Sequence, residues 1–224
     1  DTDPEKTYRA IQIINEIGGK RVDGIPSLLP GLNFLHGLIG EREETMEYNY
    51  DYLKRILDNG LMLRRINIRQ VVNLGSYPDI EVDKYRFKAY KDKVNKKINR
   101  PMLKRVFPVG TIIEDVLTET QKGKISYGRQ LASYPILIGI PGKLQLNQYI
   151  TVRVIDHGYR SITALPWPFY INQASVEQLT YIPGIGRNIA NEIFIEQPQS
   201  LDELKQILVE DFPLEKWQDW FKFK

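Results

Sequence analysis

The stretch Leu179–Ile193, LTYIPGIGRNIANEI, places a proline and two glycines between two segments whose apolar residues recur at helical spacing. Ser175 precedes the first segment and Gln178 follows three residues later, a spacing typical of a capping box at a helix start. Proline followed by glycine marks a sharp turn. The stretch therefore predicts two short helices joined by a tight hairpin at Pro183–Gly186. A further helical pattern follows at 200–208.

This hairpin resembles the helix-hairpin-helix motif. The matching positions are Leu179, Ile182, Pro183, Gly184, Ile185, Gly186, Ala190 and Ile193. The resemblance implies a phosphate site, because glycines let the backbone approach an anion and the N–H groups of the second helix face it. The residues implied to hold the phosphate are Gly184, Ile185, Gly186 and Arg187. Such contacts carry no base sequence. A structural or protein-contact use of the hairpin is the alternative.

Composition narrows the possible chemistry. The chain has 224 residues, of which 42% are hydrophobic and 26% charged, proportions that predict a globular protein. It has no cysteine, which excludes disulfides and thiolate chemistry from this chain. Its two histidines, His36 and His157, belong to no metal-binding motif, so no metal site is predicted. No apolar run approaches the ~18–20 residues of a membrane span. The N-terminus is also polar, so we expect a cytoplasmic protein without a membrane partner.

Positive charge is concentrated in one window. Lys84–Arg105 holds ten basic residues and one acid, Asp92, although the net charge of the whole chain is only +3. The apolar residues of this window form one helical stripe, Phe87, Tyr90, Val94 and Ile98. Pro101 is expected to end or kink the helix. The window is either a solvated helix face or a surface that contacts a polyanion such as nucleic acid.

The first third of the chain alternates between helical and strand patterns. The sequence predicts a helix at 4–17, a buried strand at 32–40, a helix at 41–60, a strand at 64–72 and a loop at 73–79. The predicted apolar face of the first helix comprises Ala10, Ile13, Ile14 and Ile17. This alternation is typical of a parallel α/β sheet. Two strands do not make a stable α/β domain, so we expect this region to be part of a larger one.

The run Gly37–Glu44, GLIGEREE, resembles a Gly-Leu-Pro-Gly-Glu-x-x-Glu motif in the second half of the radical S-adenosylmethionine (radical SAM) barrel, with Ile39 in place of the proline. The resemblance implies that the ends of the two strands lie beside S-adenosylmethionine. The residues implied to approach this cofactor are Gly37, Glu41, Arg69 and Gln70.

The chain departs from that family at its catalytic centre. The family binds a four-iron-four-sulfur cluster through a C-x-x-x-C-x-x-C run, and this chain has no cysteine. We therefore expect the chain to be the C-terminal portion of a longer protein whose missing N-terminal half carries the cluster and S-adenosylmethionine. The absence of an initiator methionine favours the same expectation. An ordinary α/β segment of another type is the alternative.

From Gly110 to Pro166 the hydrophobic period shortens, and glycine-containing turns recur as between short strands. The predicted turns are Lys122-Gly123, Tyr127-Gly128, Pro141-Gly142 and His157-Gly158. Four or five strands at this spacing predict a small antiparallel β-barrel. Its dispersed basic residues and tyrosines are Lys122, Lys124, Arg129, Arg153, Arg160, Tyr127, Tyr134 and Tyr159. Such barrels bind single-stranded nucleic acid through groups of this kind, although ordinary solvated charges explain the same residues.

The same segment resembles the TRAM domain, a small barrel appended to RNA-modifying enzymes. The resemblance lies in GKISYGRQLASYPILIGIP at 123–141 and LNQYITVRVIDHGYRSITA at 146–164. Asn147-Gln148 replaces the Gly-Asp of the family pattern. The resemblance implies RNA binding, to tRNA in particular.

The sequence thus predicts an α+β fold of several modules. These are a partial α/β piece (half a radical SAM barrel) at 1–80, a basic linker helix at 81–107, a TRAM-like β-barrel at 108–168, a helix-hairpin-helix bundle at 169–212 and a C-terminal tail at 213–224. Leu165–Phe169, LPWPF, is expected to be a rigid linker.

Together the resemblances predict the nucleic-acid-binding C-terminal portion of a radical SAM enzyme that modifies RNA, with tRNA favoured and DNA possible as the partner. No catalytic residue is predicted in this chain, whose own activity would be binding. The alternatives are a stand-alone, non-enzymatic nucleic-acid-binding protein and a protein-interaction scaffold.

Overall fold

The computed structural model describes residues 3–22, 24–72, 75, 78, 80–132 and 135–224. The described residues form a mixed α and β fold, as predicted, and divide into two compact units, Asp1–Pro108 and Val109–Lys224. The predicted loop at 73–79 lies outside the described residues except at Gly75 and Pro78. Across the described ranges, no helix is long and apolar enough to cross a membrane.

The first unit is a small α/β arrangement followed by a long helical run. Its elements are α1 (Pro4–Gly18), β1 (Arg21–Val22), β2 (Ile25–Pro26), β3 (Gly31–His36), α2 (Thr45–Asp58), β4 (Arg65–Gln70), α3 (Lys84–Val94), a π-helical turn (Asn95–Asn99) and α4 (Arg100–Val106). Strands β1 and β2 pair antiparallel, whereas β3 and β4 pair parallel. Helix α2 lies between β3 and β4 in the sequence. The predicted strand–helix–strand order is therefore present.

Strand β3 is shorter and more exposed than predicted. It ends at His36 because Gly37 and Gly40 take left-handed φ angles of +87° and +82°, which extended backbone does not allow. Its residues alternate between exposed and partly buried positions. The prediction of a fully buried strand was wrong, since only one face of this two-stranded sheet is packed against helices.

The buried face of α1 also differs from the prediction. Ile13 and Ile17 are 43% and 70% exposed, whereas Ile11 is buried. Gly18 fixes the orientation of the helix, because a Cβ atom there would lie 2.2 Å from the carbonyl oxygen of Leu28. Of the predicted apolar face, Ile14 is partly buried, and Ala10, Ile13 and Ile17 are exposed.

The basic window forms a continuous helical run that packs against α2 within the first unit. The predicted stripe is buried at all four of its positions, Phe87, Tyr90, Val94 and Ile98. Pro101 was expected to end or kink the helix, but the run continues to Val106. The wider π-helical turn before Pro101 accommodates a ring that lacks an N–H and would crowd a regular α-helical turn.

The second unit begins with the predicted small barrel. Its strands are β5 (Ile112–Lys122), β6 (Ile125–Gln130), β7 (Leu137–Pro141), β8 (Tyr149–His157) and β9 (Ser161–Pro166), closed in the order β5-β6-β7-β9-β8. The barrel is not wholly antiparallel, because β7 and β9 pair parallel. A closed ring with an odd number of strands cannot alternate in direction throughout, so at least one neighbouring pair must be parallel.

One predicted turn of the barrel is instead part of a strand. Gly128 lies inside β6, opposite Thr118 of β5. A Cβ atom at Gly128 would lie 2.6 Å from the carbonyl oxygen of Leu117. This glycine therefore permits close approach of two strands and does not mark a turn.

Helices complete the second unit. The helices and strands that follow the barrel are β10 (Phe169–Tyr170), α5 (Val176–Leu179), α6 (Arg187–Glu196), α7 (Leu201–Ile207), α8 (Leu214–Trp217) and β11 (Phe221–Lys222). Strands β10 and β11 pair parallel. Leu165 and Phe169 are buried in one core cluster with Trp217 and Trp220. The LPWPF segment is therefore core and not a linker, and residues 213–224 pack against the same core.

Candidate nucleic-acid interface

The hairpin between α5 and α6 has the geometry that its sequence predicts. Ser175 and Gln178 form the predicted capping box, each side chain accepting a hydrogen bond from the backbone N–H of the other residue. The apolar positions of the pattern are all buried, namely Leu179, Ile182, Ile185, Ala190 and Ile193. Ile185 is buried in the core of this unit, so its side chain is not available to a ligand.

The two glycines of the hairpin have different environments. Gly184 has a left-handed φ of +95°, and a Cβ atom there would lie 2.9 Å from Cδ2 of Phe212. Gly186 has an ordinary φ of −75° and open space where its Cβ atom would be. Gly184 is therefore required by the turn and by packing against Phe212. Both glycines are exposed, but a side chain has space only at Gly186.

Gly186 and Arg187 form the accessible start of α6. Gly186 is the N-cap of this ten-residue helix, and within the described hairpin no side chain caps it. Arg187, the first helical residue, is exposed. The first N–H groups of a helix lack intrahelical partners and lie at the positive end of its dipole. This end of α6 can therefore accept an anion.

A carboxylate lies near this positive end. The pKa of Glu177 is lowered, mainly by its hydrogen bond from Lys124 and to a smaller extent by the charge of Arg187. Lys124 and Glu177 form an ion pair between the β5–β6 turn and α5. The predicted barrel residue Lys124 thus supports the hairpin and is already engaged by an anionic group of the chain.

Arg153 is enclosed by aromatic rings. Its guanidinium carbon lies 4.6 Å from the ring centroid of Trp167 and 4.1 Å from that of Trp220. Its Nε donates to the carbonyl oxygen of Gly110 at 3.2 Å. Desolvation lowers its pKa, and the nearby carboxylate of Asp219 opposes that shift. This arrangement joins the barrel to the C-terminal segment of the same unit.

The other predicted barrel residues are not gathered into one cluster of free charges. Arg129 forms an ion pair with Glu119 at 2.6 Å. Lys122 is exposed at the end of β5, and Arg160 is exposed in the turn that follows β8. Of the predicted tyrosines, Tyr127 is partly buried, Tyr159 is 42% exposed, and Tyr134 lies outside the described residues.

The residues predicted to approach a cofactor meet at one edge of the first unit. The parallel register places Arg69 beside Leu35 and Gln70 beside His36, so that Gly37 follows directly at the same edge. Arg69 and Gln70 are exposed.

Both oxygens of the Glu41 carboxylate already have hydrogen-bond partners within the chain. The carboxylate accepts a hydrogen bond from the backbone N–H of Gly37 at 2.5 Å and lies 2.5 Å from Nδ1 of His36. His36 is fully buried and packs edge-on against Phe87 and Tyr90. Glu41 therefore holds the loop after β3 against the end of that strand.

A row of polar side chains that was not predicted from the sequence lies on the exposed face of this sheet. Nδ2 of Asn67 donates to Oδ1 of Asn33 at 2.7 Å, and Nε of Arg65 donates to Oδ1 of Asn67 at 2.8 Å. Arg69 follows at the next position on the same face. The alternation of polar and apolar residues in RINIRQ was the available signal.

No metal centre accompanies these sites in the part of the chain that the structure describes, where acidic and histidine side chains form no group of three or more arranged to hold an ion.

No family model matches the chain. Over 91% of its length it is 42% identical to an uncharacterized protein of Archaeoglobus fulgidus. Over 72% of its length it is 48% identical to an uncharacterized protein of Methanocaldococcus jannaschii. The chain spans 40% of the length of the first relative and 32% of the second. Most of each relative therefore lies outside the region of similarity.

Proposed function

We propose that this chain is the nucleic-acid-binding C-terminal portion of a radical SAM enzyme that modifies RNA, with tRNA as the favoured substrate. The observation that carries the binding function is the start of α6, where an exposed, uncapped Gly186 is followed by Arg187. In this proposal the hairpin is a helix-hairpin-helix motif that binds a backbone phosphate.

The basic helical run supports the same function. Six of its lysines are exposed, and none of their side chains has a hydrogen-bond or ion-pair partner among the described residues: Lys84, Lys88, Lys93, Lys96, Lys97 and Lys104. Lys93 lies over the ring of Tyr50. Unpaired lysines are available to neutralise phosphates and to release counterions. The barrel adds a second candidate surface, because small five-stranded Greek-key barrels often bind oligonucleotides.

The parallel pair β3–β4 supports the radical SAM part of the proposal. Parallel sheets are normally covered on both faces, and here one face carries exposed Asn33 and Arg69. We propose that sequence preceding this region in the full-length protein completes the sheet and supplies the cysteines, as the greater length of both relatives allows. The cluster and S-adenosylmethionine would supply radical chemistry when bound.

Within that proposal the four cofactor candidates differ in role. Arg69 and Gln70 have exposed side chains that suit contact with a polar ligand. Glu41 does not suit direct contact, since both of its carboxylate oxygens are engaged within the chain. It would position the loop beginning at Gly37.

Two substitutions at Gly186 test the binding function. Gly186→Asp introduces a good N-cap and a negative charge at the proposed phosphate site, whereas Gly186→Ser introduces a cap without charge. We expect Gly186→Asp to fold and to lose about tenfold in affinity for tRNA at low salt, because its carboxylate takes the place of the phosphate. Gly186→Ser should retain affinity within about twofold. Fluorescence anisotropy with labelled tRNA and labelled duplex DNA measures both variants.

A protein-contact function is the second candidate. Helix α6 exposes Phe194 and Ile195, which are 51% and 73% accessible, and exposed apolar residues often mark protein interfaces. If neither tRNA nor duplex DNA binds the unmodified protein at low salt, the nucleic-acid proposal fails and this candidate takes its place. Equal binding by Gly186→Asp and Gly186→Ser would exclude the hairpin as the contact.

A further inference from the structure

A cleft of about 540 Å³ opens on the barrel where β5 begins, β6 ends and β8 begins. It is lined by Asp115, Gln130, Leu131, Ala132 and Tyr149. None of these residues belongs to the hairpin or to the basic residues discussed above. The volume lies within the range of small-ligand sites in proteins.

A β-bulge places Asp115 at this cleft. Two residues of β5, Glu114 and Asp115, stand opposite one residue of β8, Thr151. Asp115 has a left-handed φ of +53°, a conformation that costs energy in any residue with a side chain. Nε2 of Gln130 donates to the carbonyl oxygen of Glu114 at 2.9 Å and holds the bulge. Bulges of this kind commonly redirect a side chain at a functional site.

Exposed apolar side chains line the same cleft as Asp115. Tyr149 is 57% exposed and Leu131 is 78% exposed, and both line the cleft. An aromatic ring exposed beside a cleft is a platform on which an unpaired nucleobase stacks. The carboxylate of Asp115 would repel a phosphate at close range, so the cleft suits a base and not the sugar–phosphate backbone.

The charged hydrogen-bonding group among the residues that line the cleft is the Asp115 carboxylate. The Asp115 carboxylate only accepts, and Gln130 has already used one amide hydrogen on Glu114. Guanine presents an imino N–H and an amino group side by side on its Watson–Crick edge, and one carboxylate accepts from both. Uracil places carbonyl oxygens on either side of a single N–H.

We infer that this cleft binds an unpaired guanine base, stacked on Tyr149 and hydrogen-bonded to Asp115. The inference rests on the proposed nucleic-acid-binding function and specifies its substrate as single-stranded RNA containing guanine. It gives base preference to a protein whose hairpin contacts only the backbone.

The experiment compares single-stranded RNA oligomers of about ten nucleotides, the length that a small barrel covers. One contains only uridine, one has a single central guanosine, and one has inosine at that position, which keeps the imino N–H and lacks the amino group. We expect the guanosine oligomer to bind about tenfold more tightly than the uridine oligomer. The inosine oligomer should fall between them.

Three variants complete the test. Asp115→Asn retains a residue that tolerates left-handed backbone and replaces one acceptor oxygen with a donor, so it should bind guanosine and uridine oligomers within about twofold of each other. Tyr149→Ala should lose the preference, whereas Tyr149→Phe keeps the ring and should retain it. Circular dichroism confirms that each variant is folded.

The outcomes separate the inference from the function on which it rests. Equal binding of guanosine and uridine oligomers by the unmodified protein, or a guanosine preference that survives in Asp115→Asn, overturns the guanine site and leaves the binding function standing. Failure to bind any oligomer, tRNA or duplex DNA overturns both.

Discussion

Gly184 and Gly186 show how two identical residues in one short motif have different physical roles. Gly184 supplies a left-handed turn residue and lies directly against Phe212. Gly186 has an ordinary backbone conformation and open space around it. The spacing of the motif predicts the turn, but the packing of Phe212 against Gly184 is a contact between residues distant in sequence, which no local pattern indicates.

Gly184→Ala is predicted to lower the free energy of unfolding by about 2–4 kcal/mol, the combined cost of a left-handed alanine and of crowding against Phe212. Gly186→Ser, two residues away, should change it by less than about 0.5 kcal/mol or raise it through capping. Urea denaturation followed by circular dichroism measures both. Equal stability of the two variants would contradict the packing role of Gly184.

At the scale of elements, Arg153 shows how a charged residue can join parts of a unit. It lies on β8 and stacks between Trp167, which follows β9, and Trp220, which precedes β11. The sequence analysis placed it on a nucleic-acid surface because it is basic and lies in a strand. Its two aromatic neighbours are distant in sequence, so no local pattern indicated the stacking.

Arg153→Lys is predicted to lower the free energy of unfolding by about 1–2 kcal/mol, because an ammonium group lacks the planar surface that stacks between two indoles. Arg129→Lys, at a partly exposed ion pair with Glu119, should cost less than about 1 kcal/mol. Thermal unfolding compares the two. A strong loss of tRNA affinity in folded Arg153→Lys, without loss of stability, would contradict the structural role.

Local sequence patterns predicted the helices and strands well, but they did not predict which distant residues contact individual side chains. The capping box at Ser175, the buried stripe of the basic helix and the five-stranded barrel follow from spacing within a few residues. The exposed face of α1, the in-strand Gly128 and the enclosed Arg153 depend on contacts between distant residues. The ion pairs of Lys124 and Arg129 also depend on residues that are not adjacent in sequence. They reduce the number of predicted basic residues that are free to bind a ligand.

At the scale of the whole molecule, the two compact units differ in completeness. The second unit closes its barrel and buries one aromatic cluster with its helices. The first has a two-stranded parallel sheet with an exposed face and a helix with exposed isoleucines. In the proposed function, the first unit would contribute to a larger α/β domain, and its basic helical run would bind nucleic acid together with the second unit.

The affinity of the unmodified chain for tRNA as a function of salt concentration tests the central claim most directly. Anisotropy measured from about 50 to about 200 mM salt should show binding that weakens at least about tenfold, with a linear dependence of log affinity on log salt, because basic side chains of the protein displace the counterions condensed on several phosphates of the nucleic acid. Absence of binding at the lowest salt concentration, or an affinity that does not change with salt, would contradict the claim.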